Sequence, residues 1–295
     1  MTRLKVEGYT DLVREVGSNA IVNTNTSEFD ENLDSYKFVI RTVQASAFRT
    51  LVEALKEILT DVNIEIDETG MKIIAMDASH VALIHMKLTA ENFEKYHCNK
   101  PIVCGISMMR LFKLLKTMSP NDTLTFYVEE DEPNILKIQI DTGEKHLKHT
   151  FELKLMDLFI EKVEVPPVEF ASVLRLPSGD FQKLCRDMNQ LADDIEIKSS
   201  GSELMFSINN DWVTQQTVIR ESSGGAGMSY IQNLSPDEVI QGIFSLRYLV
   251  LFSKCTNLCQ NIEIYIKNDY PIIIRYSVAN LGEVKFCLAP KNNDD

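Results

Sequence analysis

Gly105-Ile106-Ser107-Met108-Met109-Arg110-Leu111-Phe112-Lys113-Leu114-Leu115 reads as a strand end running into an amphipathic helix. It returns at an offset of 137 residues as Gly242-Ile243-Phe244-Ser245-Leu246-Arg247-Tyr248-Leu249-Val250-Leu251-Phe252. A second pair, Ala47-Phe48-Arg49-Thr50-Leu51 and Asp180-Phe181-Gln182-Lys183-Leu184, opens a helical pattern after a strand at an offset of 133. The strands that follow correspond too, 122–128 with 261–266 and 135–140 with 271–278. Matches in the same order at nearly one offset mark an internal duplication.

Each half therefore reads strand, helix, several strands, second helix, further strands. Period-two alternation, as in Lys72-Ile73-Ile74-Ala75-Met76, gives the strands, and Glu68-Thr69-Gly70, Asp141-Thr142-Gly143 and Ser199-Ser200-Gly201 give the turns. The expected fold is α+β: two similar domains, each with two helices packed on antiparallel sheet. The boundaries read as an N-terminal extension at 1–36, a first domain at 37–155, a connector at 156–168, a second domain at 169–291 and an acidic tail at 292–295. Within the extension, Asn23 to Ser35 is rich in Asn, Thr, Ser, Asp and Glu and reads as a flexible segment. The connector ends in Val165-Pro166-Pro167, which favours extended chain.

The 295 residues are 44% hydrophobic and 25% charged, the balance of a globular protein. No stretch has the ~20 apolar residues of a membrane helix, and the opening residues lack a signal peptide's apolar run. A reducing compartment is expected, with Cys98, Cys104, Cys185, Cys255, Cys259 and Cys287 as small buried hydrophobes rather than disulfides or a metal site. No cofactor is expected. Thirty basic against 43 acidic side chains leave a net charge of −13, which argues against a nucleic-acid partner unless the basic residues share one face.

The helices suggest that they do. The first, about 46–59, carries Arg49 and Lys56 beside Glu53 and Glu57; the second, about 107–117, carries Arg110, Lys113 and Lys116 with no acid. In the second helix Met109, Phe112 and Leu115 are expected to look inward. The third, about 179–191, carries Lys183 and Arg186, and the fourth, about 244–255, carries Arg247 and Lys254. Solvated faces are the ordinary reading of such residues, but equivalent elements of an acidic protein repeat the same sign. If the four helices line one surface, they form a track that attracts phosphate without reading base sequence.

No catalytic constellation stands out. Asp77-x-x-His80 resembles a base with its orienter but lacks a nucleophile. Ser222-Ser223-Gly224-Gly225-Ala226-Gly227 lacks the Lys-Ser/Thr of a phosphate-binding loop and reads as a flexible turn.

Several strings closely resemble the proliferating cell nuclear antigen family, in family order and spacing. They are Leu51-Val52-Glu53-Ala54-Leu55-Lys56, Met76-Asp77-Ala78-Ser79-His80-Val81, Leu155-Met156-Asp157-Leu158, Leu176-Pro177-Ser178-Gly179-Asp180-Phe181, Cys185-Arg186-Asp187, Leu246-Arg247-Tyr248-Leu249 and Leu288-Ala289-Pro290-Lys291. The resemblance covers about 37–291. It implies a DNA sliding clamp, a polymerase processivity factor and not an enzyme, in which three identical chains close head to tail into a ring around duplex DNA. Helices line the hole and continuous sheet forms the outside.

The resemblance also assigns sites. The channel positions are Arg49, Lys56, Lys113, Lys116, Lys183, Arg186, Arg247 and Lys254, to which Arg110 adds a charge the family does not usually have. Thr50 stands where a second lysine is common. A pocket accepting short peptides of DNA polymerase, clamp loader, nuclease and ligase matches Met76, His80, Val81 and Leu83, with Val163, Val165 and Pro166 of the connector and with Pro271, Ala289 and Pro290. Val163 stands for a usual leucine and Val165 for a usual isoleucine. The subunit contact is expected around 146–154 and 213–219, near Trp212 and the 222–229 loop. The implied location is the nucleus, or a viral replication compartment. The alternatives are a checkpoint-type subunit of a heterotrimeric clamp or a monomeric viral processivity factor of the same fold; a nuclease is the reading from outside it.

Overall fold

Strands and helices follow one another in the same order twice along the chain. The computed structural model describes residues 3–5, 12–15, 21–23, 29, 33–142, 147–161, 163, 165–222, 227–234 and 237–291. In the extension, β1 (Arg3–Lys5), β2 (Leu12–Glu15) and β3 (Ile21–Asn23) pair as a small antiparallel sheet. The first domain runs β4 (Tyr36–Thr42), α1 (Ala45–Leu55), β5 (Asp61–Asp67), β6 (Gly70–Met76), β7 (Ala82–Thr89), β8 (Lys95–Cys98), β9 (Ile102–Ser107), α2 (Met108–Leu115), β10 (Thr123–Glu129), β11 (Ile135–Thr142) and β12 (Leu147–Lys154). The second runs β13 (Ser172–Pro177), α3 (Ser178–Met188), β14 (Asp194–Ser200), β15 (Glu203–Asn209), β16 (Thr214–Arg220), β17 (Ser229–Asn233), β18 (Ile240–Ser245), α4 (Leu246–Phe252), β19 (Asn261–Ile266), β20 (Ile272–Val278) and β21 (Gly282–Leu288). The acidic tail at 292–295, residues 223–226 of the glycine-rich stretch and residues 24–28 and 30–32 of the segment read as flexible lie outside the described residues.

The duplication is present, with one correction. α1 and α3 correspond at the expected offset of 133. The second pair does not correspond at 137. Gly105 pairs with Asn63, and the counterpart of Asn63 is Glu196, whose partner is Ile243 rather than Gly242. Ile102–Ser107 thus matches Ile240–Ser245, and Met108 matches Leu246 at the head of each helix. One shared glycine and one shared arginine weigh less than the ladder and the core. In the corrected register the buried Met108 and Leu111 fall on the buried Leu246 and Leu249.

Three large sheets result. β12-β11-β10-β4-β8 belongs to the first domain and β16-β15-β14-β18 to the second. The third, β17-β13-β19-β20-β21-β7-β6-β5-β9, joins the halves where β21 pairs with β7 from Gly282↔Leu88 to Leu288↔Ala82. Inward residues alternate with outward ones: Ile272, Ile274, Tyr276 and Val278 of β20 are buried and the residues between them partly exposed. The inward face packs against the helices in one core that includes Phe38, Phe48, Phe181, Phe206, Phe244, Phe252 and Phe286. Each such side chain contributes ~1.5–3 kcal/mol by leaving water.

Candidate functional site

The four helices form one layer. α1 packs against α2 on one side and against the turn after α4 on the other, and that turn and α4 pack against α3. The sequence dictates this by its stripes. α3 buries Phe181, Cys185 and Met188, and α4 buries Leu246, Leu249 and Phe252. In α2 the buried stripe is Met108, Leu111 and Leu115, not Met109, Phe112 and Leu115, and Met109 is 43% exposed. Paired apolar residues at 108–109, 111–112 and 114–115 suit either stripe. The direction in which β9 enters the helix decides between them.

This layer gathers the predicted basic residues. Arg110, Lys113, Lys116, Lys183, Arg186, Arg247 and Lys254 are exposed on it. Arg49 and Lys56 are less free. Arg49 Nη1 donates to the Met118 carbonyl at 2.8 Å. The Lys56 side chain is only 12% exposed, pairs with Glu57, and holds Nζ 4.7 Å above the Phe112 ring. Lys254 Nζ also approaches Glu57, at 3.4 Å. The Lys56 hydrogen bond, opposed by partial burial and aided by the Lys254 charge, holds the Glu57 carboxyl below its usual range.

The second site forms on the opposite face of the interdomain sheet. Cross-strand pairing aligns Ile273, Cys287, Leu83 and Met76 in a row across β20, β21, β7 and β6, all pointing away from the helices. Pro271 precedes β20, Ala289 and Pro290 follow β21, and the 77–81 turn joins β6 to β7, so the predicted residues from these elements meet at one end of four strands. The Ala289 amide donates to the Val81 carbonyl at 3.0 Å and ties two of them together.

Asp77 shapes that turn. Oδ1 accepts from the amides of Val81 and Ala82 at 2.8 Å, and Oδ2 accepts from the Ser79 amide at 3.1 Å and the Tyr248 hydroxyl at 2.6 Å. Burial pushes its pKa up, but these donors outweigh it and hold the carboxyl below the ordinary value. Both oxygens are committed, so Asp77 acts as a staple that holds His80 at φ +57°, not as a base oriented toward it.

The connector crosses this face. It starts where Gly105 and Met156 form a bridge, with the Met156 amide donating to the Gly105 carbonyl at 2.8 Å. A Cβ at position 105 would stand 2.1 Å from the Met156 carbonyl oxygen, so glycine is what permits the approach. Asn63 Nδ2 then donates to the Leu158 carbonyl at 3.1 Å. Beyond it, Val163, Val165 and Pro166 line a cavity of about 900 Å³ together with Ile74, His85, Val103 and Ile160. Burial, then the charges of Lys285 and Lys72, lower the His85 pKa. The cavity does not reach Pro271, Ala289 or Pro290, so the predicted residues split between a cavity beneath the connector and the adjoining apolar row.

The pattern of the proliferating cell nuclear antigen N-terminal domain matches residues 37–162, and that of its C-terminal domain matches 164–291. The chain belongs to the proliferating cell nuclear antigen family. A relative, the probable DNA polymerase sliding clamp 1 of Paramecium bursaria Chlorella virus 1, is 33% identical over 261 residues, covering 87% of this chain and 98% of its own. The family match starts at Lys37, which leaves the extension outside it.

Within this proliferating cell nuclear antigen fold, sequence reasoning missed Ile273 and Cys287 in the apolar row and Ile74, Val103 and Ile160 in the cavity. The signal was available. Alternation turns Ile273 and Cys287 away from the buried Ile272, Ile274, Phe286 and Leu288 of their own strands, a consequence of period two alone.

Proposed function

We propose that this sliding clamp closes as a homotrimeric ring around duplex DNA and tethers replication and repair enzymes through the groove beside the connector. One observation carries the reading. β21 and β7 are joined within the chain, while their counterparts in the duplication, β12 and β16, are outer strands of their sheets. An unpaired edge is a template for another strand. If β12 of one chain repeats on β16 of the next what β21 does on β7, the contact is head to tail and can close. Transferring the register by the ladders puts Leu147 opposite Ile219 and Leu153 opposite Val213. The exposed Leu147 and Val218 and the 70% exposed Trp212 lie on or beside these edges.

In such a ring the helix layer faces the hole. Arg110, Lys113, Lys116, Lys183, Arg186, Arg247 and Lys254 meet phosphates loosely, with Arg49 and Lys56 contributing less because of their local partners. Phosphate contact carries no base preference, so the clamp slides. Enclosure supplies retention, which reconciles the acidic body with a DNA partner.

On the outer face, Met76, Leu83, Val163 and Val165, flanked by His80, Val81, Pro166, Pro271, Ala289 and Pro290, receive an apolar anchor of a short extended peptide. Peptides of DNA polymerase, clamp loader, nuclease and ligase are the proposed occupants, and the protein works where DNA is replicated. Light scattering over a dilution series tests the assembly. A mass near three times 33.6 kDa is expected. A monomer at every concentration, with and without DNA, defeats the homotrimer.

A further inference from the structure

Phe29, in the extension preceding the family fold, is held against the first domain. Phe29 is 3% exposed and sits edge-on to Tyr127 at 4.9 Å and to Tyr36 at 5.5 Å, with Val39 buried beside them. Val39 and Tyr127 are cross-strand partners on β4 and β10. Their neighbours Phe38, Ile40, Phe126 and Val128 belong to the main core with the helices, so Phe29 lies on the opposite, outward face of the sheet.

The second domain provides an internal control. By the ladders, Val39 and Tyr127 correspond to Val173 and Tyr265, and Thr125 and Gln139 to Glu263 and Arg275. The Tyr36–Tyr127 ring pair recurs as Phe170–Tyr265, and there a residue of the domain itself, Tyr270, sets a third ring edge-on to Phe170 at 5.6 Å. The rest of that face is charged: Arg275 pairs with Glu263 at 2.9 Å and with Glu283 at 2.6 Å. In the first domain the counterparts of Glu263 and Arg275 are uncharged and buried, with Thr125 1% and Gln139 6% exposed and Thr125 Oγ1 and Gln139 Oε1 lacking partners among the described residues, while Glu283 is replaced by Lys148. The Glu263–Arg275 ion pair of one copy of the repeat is thus replaced in the other by two buried, uncharged side chains.

We propose that the outward face of the first domain is a docking surface for this chain's own N-terminal extension, with Phe29 as the anchor. Residues 1–36 hold seven acidic and three basic side chains. A free arm of that charge would be drawn to the basic helices and compete there with phosphate. Phe29 is held on the other side of the sheet, away from those helices.

Glutamyl endopeptidase applied to the full chain tests this, because Glu28 and Glu31 flank Phe29 in the sequence. Cleavage at these sites should be slow in the wild type and in Phe29→Leu, and at least about tenfold faster in Phe29→Ala, which loses most of the buried ring's contribution. Equal rates in wild type and Phe29→Ala would overturn the proposal. Hydroxyl-radical labelling of Tyr127 in the wild-type chain gives an answer that does not depend on how the variant folds. Labelling should rise after cleavage at Glu31 has released the arm. Equal labelling before and after would count against the anchor just as firmly.

Discussion

The hydroxyl of Tyr248, in the first turn of α4, donates a 2.6 Å hydrogen bond to Oδ2 of Asp77 at the end of β6. It links the residue next to Arg247 on the helix layer to the turn beside the proposed peptide groove, across the boundary between the two domains.

Tyr248→Phe removes this bond and leaves Asp77 with three backbone donors. A hydrogen bond to a charged group is worth ~1.5–3 kcal/mol, so stability in urea at pH 7 should fall by about that amount. Asp77 is held below its usual pKa, so its contribution is present above the unfolded value, near pH 4, and is lost as pH falls through the folded value. The variant should therefore lose less than the wild type over that acid range. Parallel denaturation curves from pH 7 to pH 3 check both parts.

Gly105→Ala places a methyl group against the Met156 carbonyl, where backbone must yield. Overpacking of this kind costs ~1–3 kcal/mol. The start of the connector should shift, with faster hydrogen exchange at Met156 and weaker partner-peptide binding. Unchanged exchange there would mean that the connector does not depend on this approach.

How far the sequence carried can be judged residue by residue. Two α+β halves were readable because Phe48 and Phe181 recur with their basic neighbours, and period-two strands follow each. The register of α2 against α4 was misread by one residue, because Gly105 and Gly242 are alike while the ladder that separates them is a long-range property. Met109 was placed inward for a similar reason: adjacent apolar residues leave a helix two possible faces. The union of β21 with β7 is invisible locally, since nothing in either strand names its partner. Basic residues on the helices were legible. The approach of Lys254 to Glu57 was not, because it depends on which helices touch.

Val165→Asp should abolish binding of a clamp-interacting peptide and leave the fold intact, because Val165 is 39% exposed in the single chain and, in the proposed function, is covered by the bound peptide. An unpaired buried carboxylate costs several kcal/mol, more than the ~1.5–3 kcal/mol of one apolar anchor. Calorimetric titration, with circular dichroism as a folding control, measures this. Unchanged affinity would move the site away from the connector.

Leu147→Asp tests the subunit edge. The side chain is 48% exposed in the single chain, so folding should be unaffected. Opposite Ile219 of a neighbour the carboxylate would be buried without a partner, at a cost of several kcal/mol. The proposed trimer should dissociate at concentrations where the wild type remains whole, as measured by sedimentation. Wild-type assembly would place the contact elsewhere.

Retention of the loaded protein on closed circular DNA, compared with the same DNA cut once, tests encirclement most directly. The clamp should remain on the circle and run off the free ends of the line. Removing charge with Lys113→Ala, Lys116→Ala, Arg247→Ala and Lys254→Ala should flatten the salt dependence by about 0.9 in log–log slope per lost contact, without abolishing that difference. Equal retention on both forms would mean that charge alone holds the protein, and the ring account would be wrong.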